Sequence, residues 1–398
     1  MTDSPELDHH ALCIDTNIFR ETGYGLDKGL PAQLDQFADS PVQVVISEIV
    51  HREMKRHLTE LVGKARAALE KGLKDVQQEM LASEGAAHRA RKAVLTSESD
   101  GEIAQRRLDR FYERCGAMVL PADSVSSREV LDRYFNQEPP FVASGDKKQE
   151  FPDAYALMSV EKWAEEQDCK ALVVSHDKGW KEFCERSERL VYRNDLGSAL
   201  KLLQPQNAAG RFMSDFNECL VAEADEHGIL ATLAERIKES VEAMEIDVEA
   251  DSRFYWEPTE VYSQYKGHEL RHLSPEQVDI DLVRVTEHEV VVRLRAGITC
   301  DVHASFALSV TDPIDKDEVS MGSQSMQLEQ TFDSDVLVTF EGDTRGLAGV
   351  SVKSVEVVDA MPKVEFGEIE MARGRDEEDY HQYLEDLAMD QHGGAEPL

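Results

Sequence analysis

Four acidic side chains in this chain fall where regular elements begin or end. They are Asp15 in Ala11-Leu12-Cys13-Ile14-Asp15-Thr16-Asn17, Glu53 in Ser47-Glu48-Ile49-Val50-His51-Arg52-Glu53, Asp153 in Glu150-Phe151-Pro152-Asp153-Ala154, and Asp177 in Val173-Val174-Ser175-His176-Asp177. Asp15 and Asp177 close short apolar runs of the kind that form buried strands, whereas Glu53 and Asp153 lie near helix starts. In an open α/β sheet the carboxyl ends of the strands share one crevice, so acids placed there converge. Carboxylates gathered without a fixed Lys or Arg repel one another unless a divalent cation neutralises them. The chemistry this implies is attack on a phosphate ester: oxygen-held Mg²⁺ or Mn²⁺ activates the nucleophile and balances the charge of the departing oxygen.

The elements that must position these acids are legible around them. Residues 11–15, 42–47, 119–121, 171–175 and 190–192 are short β-branched or apolar runs and predict strands. Between the second and third, Met54, Leu58, Leu61, Ala65, Leu69, Leu73, Val76 and Met80 keep helical spacing, and further helices are expected over 86–96 and 101–116. A helix opens at Pro152 and runs to about Glu166, and another starts near Lys178. Strands alternating with helices predict a parallel α/β sheet with a helical insertion.

After a boundary at Gln204-Pro205-Gln206-Asn207-Ala208-Ala209-Gly210, two helices are expected over 211–224 and 227–244. The pattern then changes to period two, at Val278 to Leu282, Val290 to Leu294, Ile298 to Val310, Val336 to Phe340 and Val350 to Val358. These predict an α+β C-terminal domain rich in antiparallel strands, as a small sandwich or barrel. The expected division is a tail over 1–10, an α/β domain over 11–203, linker and helices over 204–245, a β-rich acidic domain over 246–367 and an acidic tail over 368–398, with one short helix around Tyr380 to Met389. Asp312-Pro313-Ile314-Asp315-Lys316-Asp317-Glu318 lacks the Gly and terminal Glu spacing of an EF-hand and reads as a turn.

Composition restricts the function classes. The net charge is −36, unevenly spread: residues 1–205 hold 28 basic and 36 acidic side chains, the remainder 15 and 43. A nucleic acid is repelled by the second half, so the first half must hold it. Within 51–115 the balance reverses, 14 basic against 11 acidic, with local clusters at Arg89 to Lys92 and Arg106 to Arg110. No apolar run reaches membrane-span length and no apolar segment follows the acidic N-terminus, which predicts no membrane role and no signal peptide. The six cysteines show no metal or disulfide spacing and suit a reducing, cytoplasmic setting. Walker and Rossmann glycine patterns are absent.

In order and placement, Asp15-Thr16-Asn17, Val-Val-Ile-Ser followed by Glu53, Asp153 at a helix start and Ser175-His176-Asp177 resemble a PIN-domain nuclease. The longer stretches Asp146 to Ala154 and Val174 to Trp180 are similar to a larger bacterial subgroup of that family. The resemblance implies a flap-endonuclease-like fold over the first half and cleavage of RNA with Mg²⁺ or Mn²⁺. On its terms Asp15, Asp153 and Asp177 are metal ligands and Glu53 completes the cup. Glu48 competes by residue type, but the family spacing selects Glu53. Thr16, Asn17, Ser175 and Glu150 then support the acids, and Lys147, Lys148, Arg106 and Arg107 contact substrate.

Ordinary roles stand beside these. An Asp after a strand serves turns, an acid in a first helical turn answers the dipole, and charged loop residues are usually solvated. A haloacid-dehalogenase phosphatase needs a second Asp where Asn17 stands. The expected function is a divalent-metal-dependent endoribonuclease acting on single-stranded RNA, with a toxin or phage-defence effector as one setting. The alternatives are a PIN-fold scaffold or partner-activated nuclease, and a single-stranded or structure-specific DNase. The acidic half suggests a protein partner or a homo-oligomer contact, or merely solubility.

Overall fold

The computed structural model describes residues 9–80, 82–141, 150–204, 209–225, 228–311 and 318–369. Lys147, Lys148, the turn expected at Asp312 to Asp317 and the short C-terminal helix lie outside these residues.

The first apolar run is β1 (Ala11–Ile14), followed by α1 (Thr16–Glu21) and the short α2 (Gly29–Ala32). Then come β2 (Gln43–Ser47), α3 (Glu48–Glu79), α4 (Glu84–Val94), α5 (Asp100–Cys115), β3 (Met118–Leu120) and α6 (Ser127–Asn136). The region closes with α7 (Phe151–Glu166), β4 (Ala171–Val174), α8 (Lys178–Cys184), β5 (Leu190–Arg193) and α9 (Leu196–Leu202). The five strands form one parallel sheet in the order β3-β2-β1-β4-β5. β1 and β4 are wholly buried, as central strands covered on both faces must be. Their register pairs Ile14 with Val174, so Asp15 and Ser175 leave the sheet side by side.

The expected strands and the α3–α5 insertion are all present. The α3 helix runs far beyond its buried start: only Val50, Met54 and Leu58 are fully buried in its 32 residues. Its N-terminus is fixed by Ser47, whose hydroxyl accepts the Val50 N–H at 3.2 Å.

The C-terminal region contains α10 (Gly210–Ala222), α11 (Ile229–Glu242), β6 (Val248–Asp251), β7 (Tyr255–Leu270), β8 (His272–Ser274) and β9 (Gln277–Val278). They are followed by β10 (Ile280–Val285), β11 (Glu289–Thr311), β12 (Glu318–Gly342), β13 (Val350–Val357) and β14 (Val364–Glu368). The main antiparallel sheet has the order β10-β11-β12-β13, with β7 also paired to β11. The period-two pattern starts later than the strands do, because β7 is largely exposed and its outward residues erase the alternation. The runs around Val290 and Ile298 join in one 23-residue strand, since Gly297 stays in the ladder.

The chain divides into two compact units. The first comprises residues 1–233, 270–295 and 335–359; the second comprises 234–269, 296–334 and 360–398. In the first unit Val283, Val291 and Leu337 share one apolar core with β1, β2, β4 and α9. Beside it, Arg293 has a side chain only 1% exposed and pairs with Asp195, Asp281 and Asp335. In the second unit Trp256 and Phe366 pack edge-on against Phe306, and Ser263 donates to the Val241 carbonyl at 2.8 Å.

Candidate active site

The acids are placed by backbone that the sheet and helix starts determine. Asp15 follows β1 and is the N-cap of α1; its Oδ1 accepts the Thr16 N–H at 2.6 Å. Asp177 follows β4 after two residues and caps α8, with Oδ1 accepting the Trp180 N–H at 3.0 Å. Asp153 lies in the first turn of α7, behind Pro152. Glu53 lies in the second turn of α3, on a stretch packed near α1.

Side chains from separate elements then tie these positions together. The Ser175 hydroxyl donates to Asp15 Oδ2 at 2.6 Å and accepts the Asp177 N–H at 2.9 Å. Asn17 Nδ2 donates to the same Ser175 oxygen at 3.1 Å, and its own Oδ1 accepts the His176 N–H at 3.4 Å. The Thr16 hydroxyl donates to Glu53 Oε2 at 2.7 Å, linking the end of β1 to α3. Trp180, 1% exposed, donates its indole N–H to Asp153 Oδ1 at 2.9 Å. One helix start thus holds two of the acids through a single tryptophan.

The four carboxylates act on one another. Burial pushes Asp153 up to about 7, against the pull of the Trp180 hydrogen bond and with the charges of Asp15, Asp177 and Glu53 adding to the rise. Burial likewise pushes Asp15 up to about 6; bonds from Ser175 and Thr16 oppose this, while Glu53 and Asp177 reinforce it. Among the described residues no three His, Cys, Asp or Glu side chains close on a common point suited to a metal ion. Each acid accepts from a neighbouring donor instead: Asp15 and Glu53 from Thr16, Asp153 and Asp177 from Trp180. The donor set is carboxylate oxygen and hydroxyl oxygen, the hard ligands that suit Mg²⁺ or Mn²⁺, and the raised acids supply the unbalanced negative potential a cation relieves.

A PIN-domain family model matches residues 12–180. This stretch is a PIN domain. PIN domains are generally metal-dependent nucleases, and divalent ions, usually Mg²⁺ or Mn²⁺, serve them. No curated protein and no solved structure matches the chain. No helix among the described residues is long and apolar enough to cross a membrane, and no disulfide joins the six cysteines.

Around the PIN-domain acids the other expected residues are placed as follows. Glu150 occupies the N-cap position of α7. Glu48 lies in the first turn of α3, accepts the Ala122 N–H at 2.8 Å and pairs with Arg52. Arg106 pairs with Glu98 at 2.6 Å, and Arg107 donates to the Tyr24 carbonyl at 3.1 Å. His176 is exposed and meets Glu21 at 2.8 Å.

The indole of Trp180 and the group Arg20, Tyr24, Arg56 and His57 are the neighbours that sequence reasoning passes over. Trp180 reads as packing, and its polar N–H is the one signal that it also serves an acid. For the others the signal was proximity: Arg20 follows Asp15 by about one helical turn and Arg56 follows Glu53 by three residues.

Proposed function

We propose that this protein is a metal-dependent endoribonuclease that hydrolyses phosphodiester bonds in single-stranded RNA. The observation that carries the reading is that Asp15, Glu53, Asp153 and Asp177 come near one another from four elements, where burial and the neighbouring carboxylate charges raise the proton affinity of Asp15 and Asp153. Asp15, Asp153 and Asp177 would hold Mg²⁺ or Mn²⁺, with Glu53 completing the cup. When bound, the ion supplies an activated water and charge compensation at the scissile phosphate.

The chain's own groups do the rest. Ser175 holds Asp15 and the start of Asp177 in fixed orientation, and Thr16 does the same for Glu53. Trp180 holds the Asp153 carboxylate through its indole N–H and Asp177 through its backbone N–H. Of the basic residues assigned to substrate, Arg107 stands beside Tyr24, and Arg106 must leave Glu98 to take a phosphate. RNA is favoured over DNA by the family's habit. A toxin or phage-defence setting, and a protein partner or second copy on the acidic region, remain part of the same proposal.

The test is incubation of the full chain with labelled single-stranded RNA and DNA in Mn²⁺, Mg²⁺ and EDTA, beside an Asp15→Asn/Asp177→Asn variant. The expected result is metal-dependent RNA cleavage that falls at least about a hundredfold in the variant. DNA cleavage alone corrects the substrate. No metal binding by the unaltered chain overturns the catalytic reading and leaves a scaffold.

A further inference from the structure

The acids are not the only unusual groups at this end of the sheet. Tyr24 is 5% exposed and has φ of 58°, a left-handed conformation uncommon for a bulky residue and costing on the order of 1 kcal/mol. Its backbone is held there by three hydrogen bonds: its N–H donates to the Phe19 carbonyl at 2.8 Å, and its carbonyl accepts from the Leu26 N–H at 3.0 Å and from Arg107 at 3.1 Å. The ring stacks on His57, with centroids 5.4 Å apart and planes 23° apart. His57 is one helical turn beyond Glu53 on α3, so the ring lies along the face that carries Glu53. The Tyr24 hydroxyl is buried, and among the described residues no acceptor meets it in hydrogen-bond geometry. Burial raises the pKa of this hydroxyl, against a hydrogen bond and charge from the Arg20 guanidinium, and the charges of Glu53 and Arg56 also reach it.

Arg20 and Arg56 are both exposed, and neither has a carboxylate within ion-pair distance among the described residues. Arg56 touches the ring nitrogen of His57, at 3.3 Å. On the same insertion Arg52, Arg66, Arg91 and Arg106 pair with acids, and Arg107 and Arg114 donate to backbone carbonyls. Two guanidiniums near Glu53 that lack a carboxylate partner among the described residues, close to a buried donor without an acceptor there, form a place for an anionic oxygen. An unmet buried donor of this kind carries about 1–3 kcal/mol of desolvation that a ligand oxygen can recover.

We infer that Arg20 and Arg56, with the Tyr24 hydroxyl beside Arg20, form a phosphate subsite for the nucleic-acid backbone next to the acid cup. The inference rests on the nuclease reading above. Its role is positional: it holds a phosphate that is not being cleaved and presents the neighbouring linkage to the acids. Arginine suits it, because its planar fork takes two phosphate oxygens at once. The family match identifies the PIN domain, and the subsite is a property of this chain's own three side chains.

The test uses the full chain with a single-stranded RNA oligonucleotide and Arg20→Ala, Arg56→Ala and Tyr24→Phe variants. Cleavage kinetics are measured with Mn²⁺, and RNA binding by fluorescence anisotropy at several salt concentrations in an Asp177→Asn background. Mn²⁺ binding and thermal melting are followed for each variant. Each arginine variant is expected to raise KM roughly tenfold with kcat nearly kept, and to lower the salt slope by about 0.7 for each phosphate that is no longer neutralised. Tyr24→Phe is expected to raise KM about threefold, with melting and Mn²⁺ binding unchanged. Cleavage with unaltered KM and salt slope in all three variants overturns the subsite and leaves the nuclease standing. Absence of RNA binding by the unaltered chain at any salt overturns both.

Discussion

At the scale of single residues, the decisive property is that two carboxyls of the cup resist ionising. An unfolded Asp ionises near pH 4, whereas folded Asp15 and Asp153 hold their protons to about 6 and 7. Below pH 4 both states are protonated and these groups contribute nothing to the pH dependence. As pH rises from 4 to 7 the unfolded chain releases protons that the folded chain keeps, so the metal-free protein loses stability across that window. Asp153→Asn removes this burden while its amide oxygen still accepts the Trp180 N–H. The metal-free variant should therefore be more stable than the parent by on the order of 1–2 kcal/mol at pH 8, with no gain at pH 4. Paired thermal melts in EDTA at the two pH values check this.

Protons and metal compete for the same oxygens, so Mn²⁺ affinity should fall steeply between pH 7.5 and 5.5, with proton release on binding, as calorimetry in two buffers would measure. Ser175 gives a third expectation. Its hydroxyl donates to Asp15 and accepts from Asp177 and Asn17. Ser175→Ala should weaken Mn²⁺ binding about 10–100-fold in a direct titration, while leaving the fold intact.

At the scale of elements, helix starts aim the acids. Asp15 and Asp177 are both N-caps that accept the N–H groups of α1 and α8, so their carboxylates cannot swing away without uncapping a helix. The α8 start is also crowded: a Cβ added at Gly179 would stand 3.0 Å from Asp177 Oδ1 and 3.0 Å from the Pro140 carbonyl. Gly179→Ala should lower stability by about 1–3 kcal/mol and reduce Mn²⁺ affinity together. A loss of stability with unaltered metal affinity would show that the carboxylate does not yield and that the Pro140 side moves instead.

At the scale of the molecule, the core beside the PIN sheet is completed by chain that comes much later. Residues 270–295 and 335–359 belong to the first unit, and Val283, Val291 and Leu337 lie in its core. Arg293, from β11, is enclosed by Asp195 at the start of α9 and by Asp281 and Asp335. Gly197 permits this, since a Cβ there would fall 2.2 Å from the guanidinium carbon. Removing the cation from such a cluster strands buried carboxylates, so Arg293→Met should cost about 3–5 kcal/mol in chemical denaturation. A chain cut after Gln204 should lack a cooperative unfolding transition, measured by circular dichroism, because it exposes the core face of α9.

What the sequence determined by itself was local. Five parallel strands, the α3–α5 insertion and the order of the acids follow from apolar runs and helical spacing, which neighbouring residues create. Membership of residues 12–180 in the PIN family was legible for the same reason, since its motifs sit at element ends. The roles of Trp180 and Tyr24 were not legible, because each depends on a partner brought near by folding: Asp153 for one, His57 and Glu53 for the other. β7 escaped the pattern because an exposed strand carries no alternation, and its pairing with β11 is a long-range event. The return of β10 and of parts of β11 and β12 to the first unit was likewise decided only by tertiary structure. Buried area and the closure of the Arg293 charge cluster select that arrangement, and neither is a property of any single stretch of chain.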